Sequence, residues 1–191
     1  MSPETILALF RERGALAYEG EGITQLQHAF QCGHLAAAAG ATPALQLAAW
    51  LHDVGHLMSG LDGSPTTRGI DDAHEHLAAR ALRLTFGDAV AEPVALHVQA
   101  KRYLVATHPP YQAQLSPDSR RSLALQGGPM DGDEALAFRG GRFAEDALRL
   151  RAWDERGKRP DWKPDSDDAA LAELAELMSR VQAQAAPLTQ P

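Results

Sequence analysis

Apolar residues in this chain recur at three- and four-residue spacing, and nowhere do β-branched residues alternate with polar ones in the two-residue rhythm of a half-buried strand. A sheet-based core is therefore not expected. The pattern predicts an all-α protein, a bundle of helices packed on one another. Composition agrees, since aromatic residues make up only 6% of the chain and Ala and Leu are abundant.

Capping and breaking residues divide the pattern into segments. Pro3 opens a short helix that ends near Gly14, and the Gly-rich acidic stretch from Tyr18 to Gly22 follows. A long helix is expected from near Thr24 to Gly40. Thr42 and Pro43 read as an N-cap followed by proline at the first helical position. In the helix they open, Leu45, Ala48, Ala49 and His52 share one spacing, so this helix is expected to carry the pair His52-Asp53. A loop runs roughly from Ser59 to Gly69. Asp71 is expected to cap the helix holding His74, and Asp88 the helix holding His97 and Lys101. Ser116-Pro117 opens a helix that stops at Gly127-Gly128, and Asp131 with Glu134 has the capping-box spacing. A helix is expected over Phe143 to Trp153, and Ser166 is placed to cap a last amphipathic one, with fraying after Gln182. The segments fit one domain over residues 1–191, with a core at about 15–158 and a C-terminal helix at about 166–182.

A formal net charge of −7 offers no basic groove for nucleic acid and no surface for an anionic membrane. No stretch approaches eighteen apolar residues, and early acids without a long apolar run predict no signal peptide. The single cysteine, Cys32, lies in an apolar run and reads as a buried small hydrophobe in a reducing compartment, so a cytoplasmic protein is expected.

Four of the eight histidines, His28, His52, His74 and His97, fall one to each successive helical segment. Such placement lets imidazoles converge on the centre of a bundle, where metal sites of helical proteins are built. Imidazole and carboxylate donors suit iron, manganese or zinc. Neighbours on a helix point about 100° apart. His52 and Asp53 serve one compact site only if it lies over both directions, with the two oxygens of Asp53 able to bridge two metals. His56, four residues after His52, could face the same way on a helix.

The order His28, His52-Asp53, His74, His97, Asp154 resembles the HD-domain superfamily. The details are closer to one branch, the PhnZ-type diiron oxygenases that break carbon–phosphorus bonds. The resemblance covers nearly all of residues 15 to 158. It is carried by Tyr18-Glu19-Gly20-Glu21, Thr24-Gln25-Leu26-Gln27-His28, Leu51-His52-Asp53-Val54-Gly55-His56 and Asp71-Asp72-Ala73-His74-Glu75. The runs His97 to Leu104 and Gln126-Gly127-Gly128-Pro129-Met130 are more specific, and Arg151-Ala152-Trp153-Asp154 closes the set.

The resemblance implies two iron ions, a mixed-valent Fe(II)/Fe(III) pair. One would be held by His28, His52, Asp53 and Asp154, the other by Asp53, His74 and His97, with Asp53 bridging. Asp146 competes with Asp154 for the last position, and the Arg-x-Trp-Asp context favours Asp154. His56, Lys101, Ser119, Ser122 and Arg151 would receive a phosphonate. Tyr18 would occupy an iron position until substrate arrives, and Glu21 would help to receive the substrate. The implied reaction consumes O2 and cleaves a 1-hydroxyphosphonate to a carboxylate and phosphate. 2-Amino-1-hydroxyethylphosphonate, giving glycine, or its N-trimethyl analogue, giving glycine betaine, is the implied substrate. The rival reading is a metal-dependent HD phosphohydrolase acting on a nucleotide or other phosphate ester, with the same ligands activating water.

Overall fold

The computed structural model describes residues 1–18, 20–60 and 65–185. Among these are eleven α-helices: α1 (Pro3–Arg13), α2 (Gln25–Ala38), α3 (Pro43–Leu51), α4 (Val54–Met58), α5 (His74–Phe86), α6 (Asp88–Thr107), α7 (Pro109–Gln114), α8 (Pro117–Leu125), α9 (Gly132–Arg139), α10 (Ala144–Arg156) and α11 (Asp167–Ala185). The fold is all-α. Its only strands among the described residues are a two-residue antiparallel pair, β1 (Ala17–Tyr18) and β2 (Ile23–Thr24), with Tyr18 opposite Ile23. Part of the loop expected after Ser59, and the tail beyond Ala185, lie outside the described residues.

The caps act largely as their residue types dictate. Ser2, Thr42 and Ser116 each accept a backbone N–H from their own first turn, ahead of a proline that cannot donate one. Thr24 with Gln27, and Asp131 with Glu134, close reciprocal capping boxes. Ser166 accepts from Ala169 N and starts α11.

Helix α3 is buried at Leu45 and along its whole second half, from Leu47 to Leu51, as suits a helix apolar all round. It packs against α2, α6 and α11. The long α6 lies against α5, α10 and α3, so the elements bearing the histidines surround one another. Helix α11 covers α3 and touches α1, α2 and α5, burying Leu171, Leu174, Leu177, Met178 and Val181.

Three local expectations need correction. The pair His52-Asp53 is not inside a helix. α3 ends at Leu51, His52 is its C-cap, and Asp53 at φ −98°, ψ 5° sits in the break before α4. Helix α6 starts on Gly87 rather than on an Asp88 cap, because the Asp88 carboxylate pairs with Arg83. Asp71 caps only the Ala73 N–H, while Ala73 itself is the N-cap of α5 in the left-handed region, φ 47°. Neither the hairpin around Tyr18 nor α7 was legible, since each is too short to show a period.

Candidate metal centre

The break at Asp53 is what gathers the site. It frees the pair from the fixed 100° step of a helix, and α4 then runs against the start of α5. Gly55 makes this approach possible, because a Cβ there would stand 2.1 Å from the His74 carbonyl oxygen.

The donor atoms fall into two sets. In one, His28 Nε2 lies 3.3 Å from His52 Nε2 and 3.5 Å from both Asp53 Oδ2 and Asp154 Oδ1. His52 Nε2 is 3.4 Å from Asp53 Oδ2 and 3.9 Å from Asp154 Oδ1. In the other, His74 Nε2 is 3.1 Å from His97 Nε2, and Asp53 Oδ1 lies 3.4 Å and 3.7 Å from these two atoms. The two carboxylate oxygens of Asp53 are thus divided between the sets. Donors about 2.0–2.2 Å from one ion stand roughly 3.0–3.6 Å apart, close to both sets of spacings.

The back of each ring fixes what its front offers. His28 Nδ1 lies 2.7 Å from the Gly157 carbonyl, His52 Nδ1 2.9 Å from Ala49 O, and His97 Nδ1 2.8 Å from Val94 O. His74 Nδ1 lies 2.9 Å from Asp72 Oδ1. These oxygens only accept, so each Nδ1 carries the hydrogen, and on a neutral ring Nε2 turns a lone pair inward. Six buried residues therefore aim acceptors at acceptors, and Asp154 Oδ1 has no hydrogen-bond donor. Lone pairs packed this way demand cations between them, so the donor set fits two metal ions. Cys32 Sγ is not part of it. Lying 3.7–3.8 Å from both nitrogens of the His28 ring, the sulfur faces the ring's side rather than the lone pair.

The charges agree. Burial alone would raise Asp53, but the imidazoles of His52, His56 and His74 outweigh it and hold its carboxyl well below the usual range. Asp154 is likewise held low against burial, by Arg151 and Lys158. Burial, with His52 and His74 beside it, keeps the His97 ring neutral well below the ordinary histidine range.

A pocket opens onto the two sets. His56, Lys101, Ser119, Ser122 and Arg151 line it together with Tyr18 and both aspartates. Lys101 Nζ donates to Ser122 Oγ at 2.7 Å. Burial and the neighbouring charges of Arg151 and Lys158 bring the lysine down to about 7. Arg151 is already engaged: its guanidinium pairs with Asp154 and Glu155, donates to Tyr111 Oη at 2.8 Å and reaches Ser119 Oγ at 3.5 Å. The phenol of Tyr18 donates to Asp53 Oδ2 at 2.9 Å, and its ring stacks on His28 at 4.0 Å.

The Gln-Gly-Gly-Pro-Met run has a structural role here. Gly127 and Gly128 turn with φ 96° and 71°, and Arg102 Nε donates to the Gly128 carbonyl at 2.9 Å while its Nη2 holds Glu134. This ties the end of α8 to α6 and keeps Ser122 against Lys101, the residue next to Arg102.

Some residues fall elsewhere. Glu21 does not line the pocket; it is half-buried, with Oε1 buried and unbonded. His56 does not share a helix face with His52. It lies on α4, stacked on the His74 ring at 3.8 Å. Asp146 is partly exposed and pairs with Arg149 at 3.9 Å, away from both donor sets. His34 pairs with Glu173, while His76 and His108 are exposed. Two polar residues near the centre had no reading from sequence. Asp72 is hydrogen-bonded to both His56 and His74, and Lys158 lies 3.7 Å from Asp154 Oδ1. Asp72 could have been noticed two residues before His74; Lys158 lies past the end of α10, where helical spacing no longer guides.

No family model matches the chain. Among proteins of known sequence, it is 41% identical over 155 residues to the hydroxymethylphosphonate dioxygenase of Gimesia maris, spanning 81% of this chain and 77% of that one. It is 37% identical over 158 residues to the glycine-betaine-forming 1-hydroxy-2-(trimethylamino)ethylphosphonate dioxygenase of Leisingera caerulea, spanning 83% and 81%. An uncharacterized protein of Acanthamoeba polyphaga mimivirus is 33% identical over 156 residues, spanning 81% and 71%. With donor sets of this kind and relatives of this closeness, the chain belongs to the PhnZ-type phosphonate dioxygenases.

Proposed function

We propose that the protein uses O2 to cleave the carbon–phosphorus bond of a 1-hydroxyphosphonate, releasing phosphate and a carboxylate. One observation carries this reading: two lone-pair donor sets share Asp53 and open into a pocket where Lys101 has no acidic partner within ion-pair distance among the described residues. The reaction balances as R–CH(OH)–PO3²⁻ + O2 → R–COO⁻ + HPO4²⁻ + H⁺. The carbon is oxidised, O2 is reduced, and the C–P bond breaks as C–O and P–O bonds form. Two iron ions, held by His28, His52, Asp53 and Asp154 and by Asp53, His74 and His97, would supply the redox chemistry.

The residues of the chain do the rest. Lys101, Ser122 and Ser119 bind the phosphonate oxygens, with Arg151 behind them as a fixed positive charge. Tyr18 closes the site over His28 by its bond to Asp53 and must release that bond for substrate to reach the first donor set. Glu21, near Tyr18 in the hairpin, is the acid we place at the substrate's carbon side once Tyr18 moves. The whole chain serves as one cytoplasmic domain; no helix among the described residues is long and apolar enough to cross a membrane.

The deciding experiment loads anaerobically purified protein with Fe(II) and offers hydroxymethylphosphonate, 2-amino-1-hydroxyethylphosphonate and its N-trimethyl analogue. Phosphate release should consume one O2 per phosphate and stop without oxygen. Phosphate release that continues undiminished without O2 would replace this reading with hydrolysis.

Lys101 gives the reaction a pH signature. Its ammonium is present below about 7 and lost as pH rises through that value, taking away the attraction for a dianion. KM for the phosphonate should therefore rise above pH 7. In Lys101→Met, KM should be raised roughly 10–100-fold at neutral pH, the size of a lost charged hydrogen bond, and this rise with pH should flatten. A rise of equal steepness in wild type and variant would show that Lys101 is not its source.

A further inference from the structure

We propose that Asp72 is a positioning residue that sets the hydrogen of two imidazoles at once, one on the metal side and one on the substrate side. The inference rests on the reading that His74 holds a metal and His56 faces the substrate. The carboxylate of Asp72 spends one oxygen on each ring: Oδ1 is 2.9 Å from His74 Nδ1 and Oδ2 is 2.6 Å from His56 Nδ1. The rings lie on one another at 3.8 Å with an interplanar angle of 24°. The three side chains form a relay that leads from the His74 Nε2 in the second donor set to the His56 ring in the pocket wall.

The same three residues do not form a third metal site. At 2.6 Å and 2.9 Å the nitrogen–oxygen contacts are hydrogen bonds, shorter than the roughly 3.0–3.6 Å between donors around one ion. Moreover, His74 already directs its other nitrogen at Asp53 and His97.

The backbone is bent to make the bridge. Ala73, between Asp72 and His74, takes a left-handed φ of 47° at a cost of roughly 1–2 kcal/mol for a residue with a Cβ. That turn brings Asp72 and His74, two residues apart, to face each other, and Gly55 admits the His74 backbone against α4. A carboxylate that only accepts fixes Nδ1–H on both rings; on a neutral ring this leaves Nε2 without a hydrogen.

Asparagine cannot do this, since it has one accepting oxygen and one donating amide. In Asp72→Asn the ring whose Nε2 is tied to a metal keeps Nδ1–H and takes the oxygen. The amide then faces His56 Nδ1, which must accept, so the hydrogen moves to His56 Nε2 in the pocket. Two measurements test this. Ring ¹⁵N and ¹H NMR of the full-length zinc-loaded protein should show Nδ1–H on both His56 and His74 in wild type. In Asp72→Asn it should remain on His74 and be lost from His56. A His56 Nδ1–H that persists in the variant overturns the inference. In the iron-loaded enzyme, Asp72→Asn should keep two metal ions and lose about 10–100-fold in kcat/KM, the usual effect of such a partner. In a His56→Ala background the same substitution should cost less than about threefold, because the ring it acts on is gone. An equal cost in both backgrounds overturns it. Wild-type protein that binds zinc but fails to turn over any hydroxyphosphonate would count against the functional reading instead, and the NMR result would still stand by itself.

Discussion

Asp53→Ala is expected to abolish turnover, by at least about 10³-fold, and to lower bound metal from two ions per chain to less than one. The ground is the division of its two oxygens. Oδ2 stands with His28 and His52, Oδ1 with His74 and His97, so one truncation removes a donor from each set. Losing a partner outside the ligands costs 10–100-fold in typical metal sites; losing a donor common to both ions should cost more. The comparison that isolates bridging is His74→Ala. It deprives only the second set of a donor, so it should lose one ion and keep the other. Asp53→Asn should fall between the two, because the amide keeps one accepting oxygen and turns a donor toward the other set. Metal analysis after gel filtration separates these outcomes. Asp53→Ala with two ions and more than a tenth of wild-type activity would mean that the two sets do not share this carboxylate in use. Tyr18→Phe is a useful control, because it removes the phenol from Asp53 Oδ2 without touching a ligand.

Much of this centre was legible because helices have a period and caps have a chemistry. His28 sits on a helix whose start was readable, His74 and His97 on helices whose presence was readable but whose caps were not, and all-α packing follows from the same spacing. What the spacing could not supply is the break at His52-Asp53. Leu51-His52-Asp53-Val54 holds no helix breaker such as Gly or Pro, and the run reads as continuous helix until Asp53 meets its tertiary partners. The ligand set implied by family likeness could be assembled without knowing this; the geometry that lets Asp53 face two ways could not. Lys158 and the paired bonds of Asp72 were unreadable for a related reason. Each acts from a stretch without period, Asp72 before the left-handed turn at Ala73 and Lys158 after the end of α10. The carbonyl of Gly157 next to Lys158 holds His28 Nδ1, a contact across 129 residues that no local pattern announces.

Arg151→Met is expected to destabilise the metal-free protein by roughly 3–5 kcal/mol, the cost of stripping one partner from a buried ion pair. For a chain of this size each kcal/mol shifts the melting temperature by roughly 2–4 °C, so the loss should be visible in any thermal scan. Arg151 is buried, and its guanidinium serves Asp154, Glu155, Tyr111 and Ser119 together. Methionine fills similar space but leaves the two carboxylates with Lys158 as their one lysine or arginine partner among the described residues, 3.7 Å from Asp154 and 3.9 Å from Glu155. Lysine at this position would restore charge without the planar fork, and should recover only part of the stability. The pH dependence follows from Asp154. In wild type its carboxyl is held well below the ordinary range, so its stabilisation is complete above the unfolded value near 4 and is lost as pH falls through the lower folded value. Without Arg151, burial dominates and the folded value rises. The gap between wild type and variant should then be widest at neutral pH and shrink as pH falls through the carboxylate range, where the buried acid takes up a proton and no longer needs a countercharge. Adding metal should also narrow the gap, since an ion held by Asp154 supplies positive charge on the other side of the carboxylate. Denaturant unfolding of metal-free and metal-loaded protein between pH 4 and 8 reads both effects. A gap that is the same at every pH and unchanged by metal would mean that Arg151 contributes packing alone, and that the charge of Asp154 is balanced elsewhere.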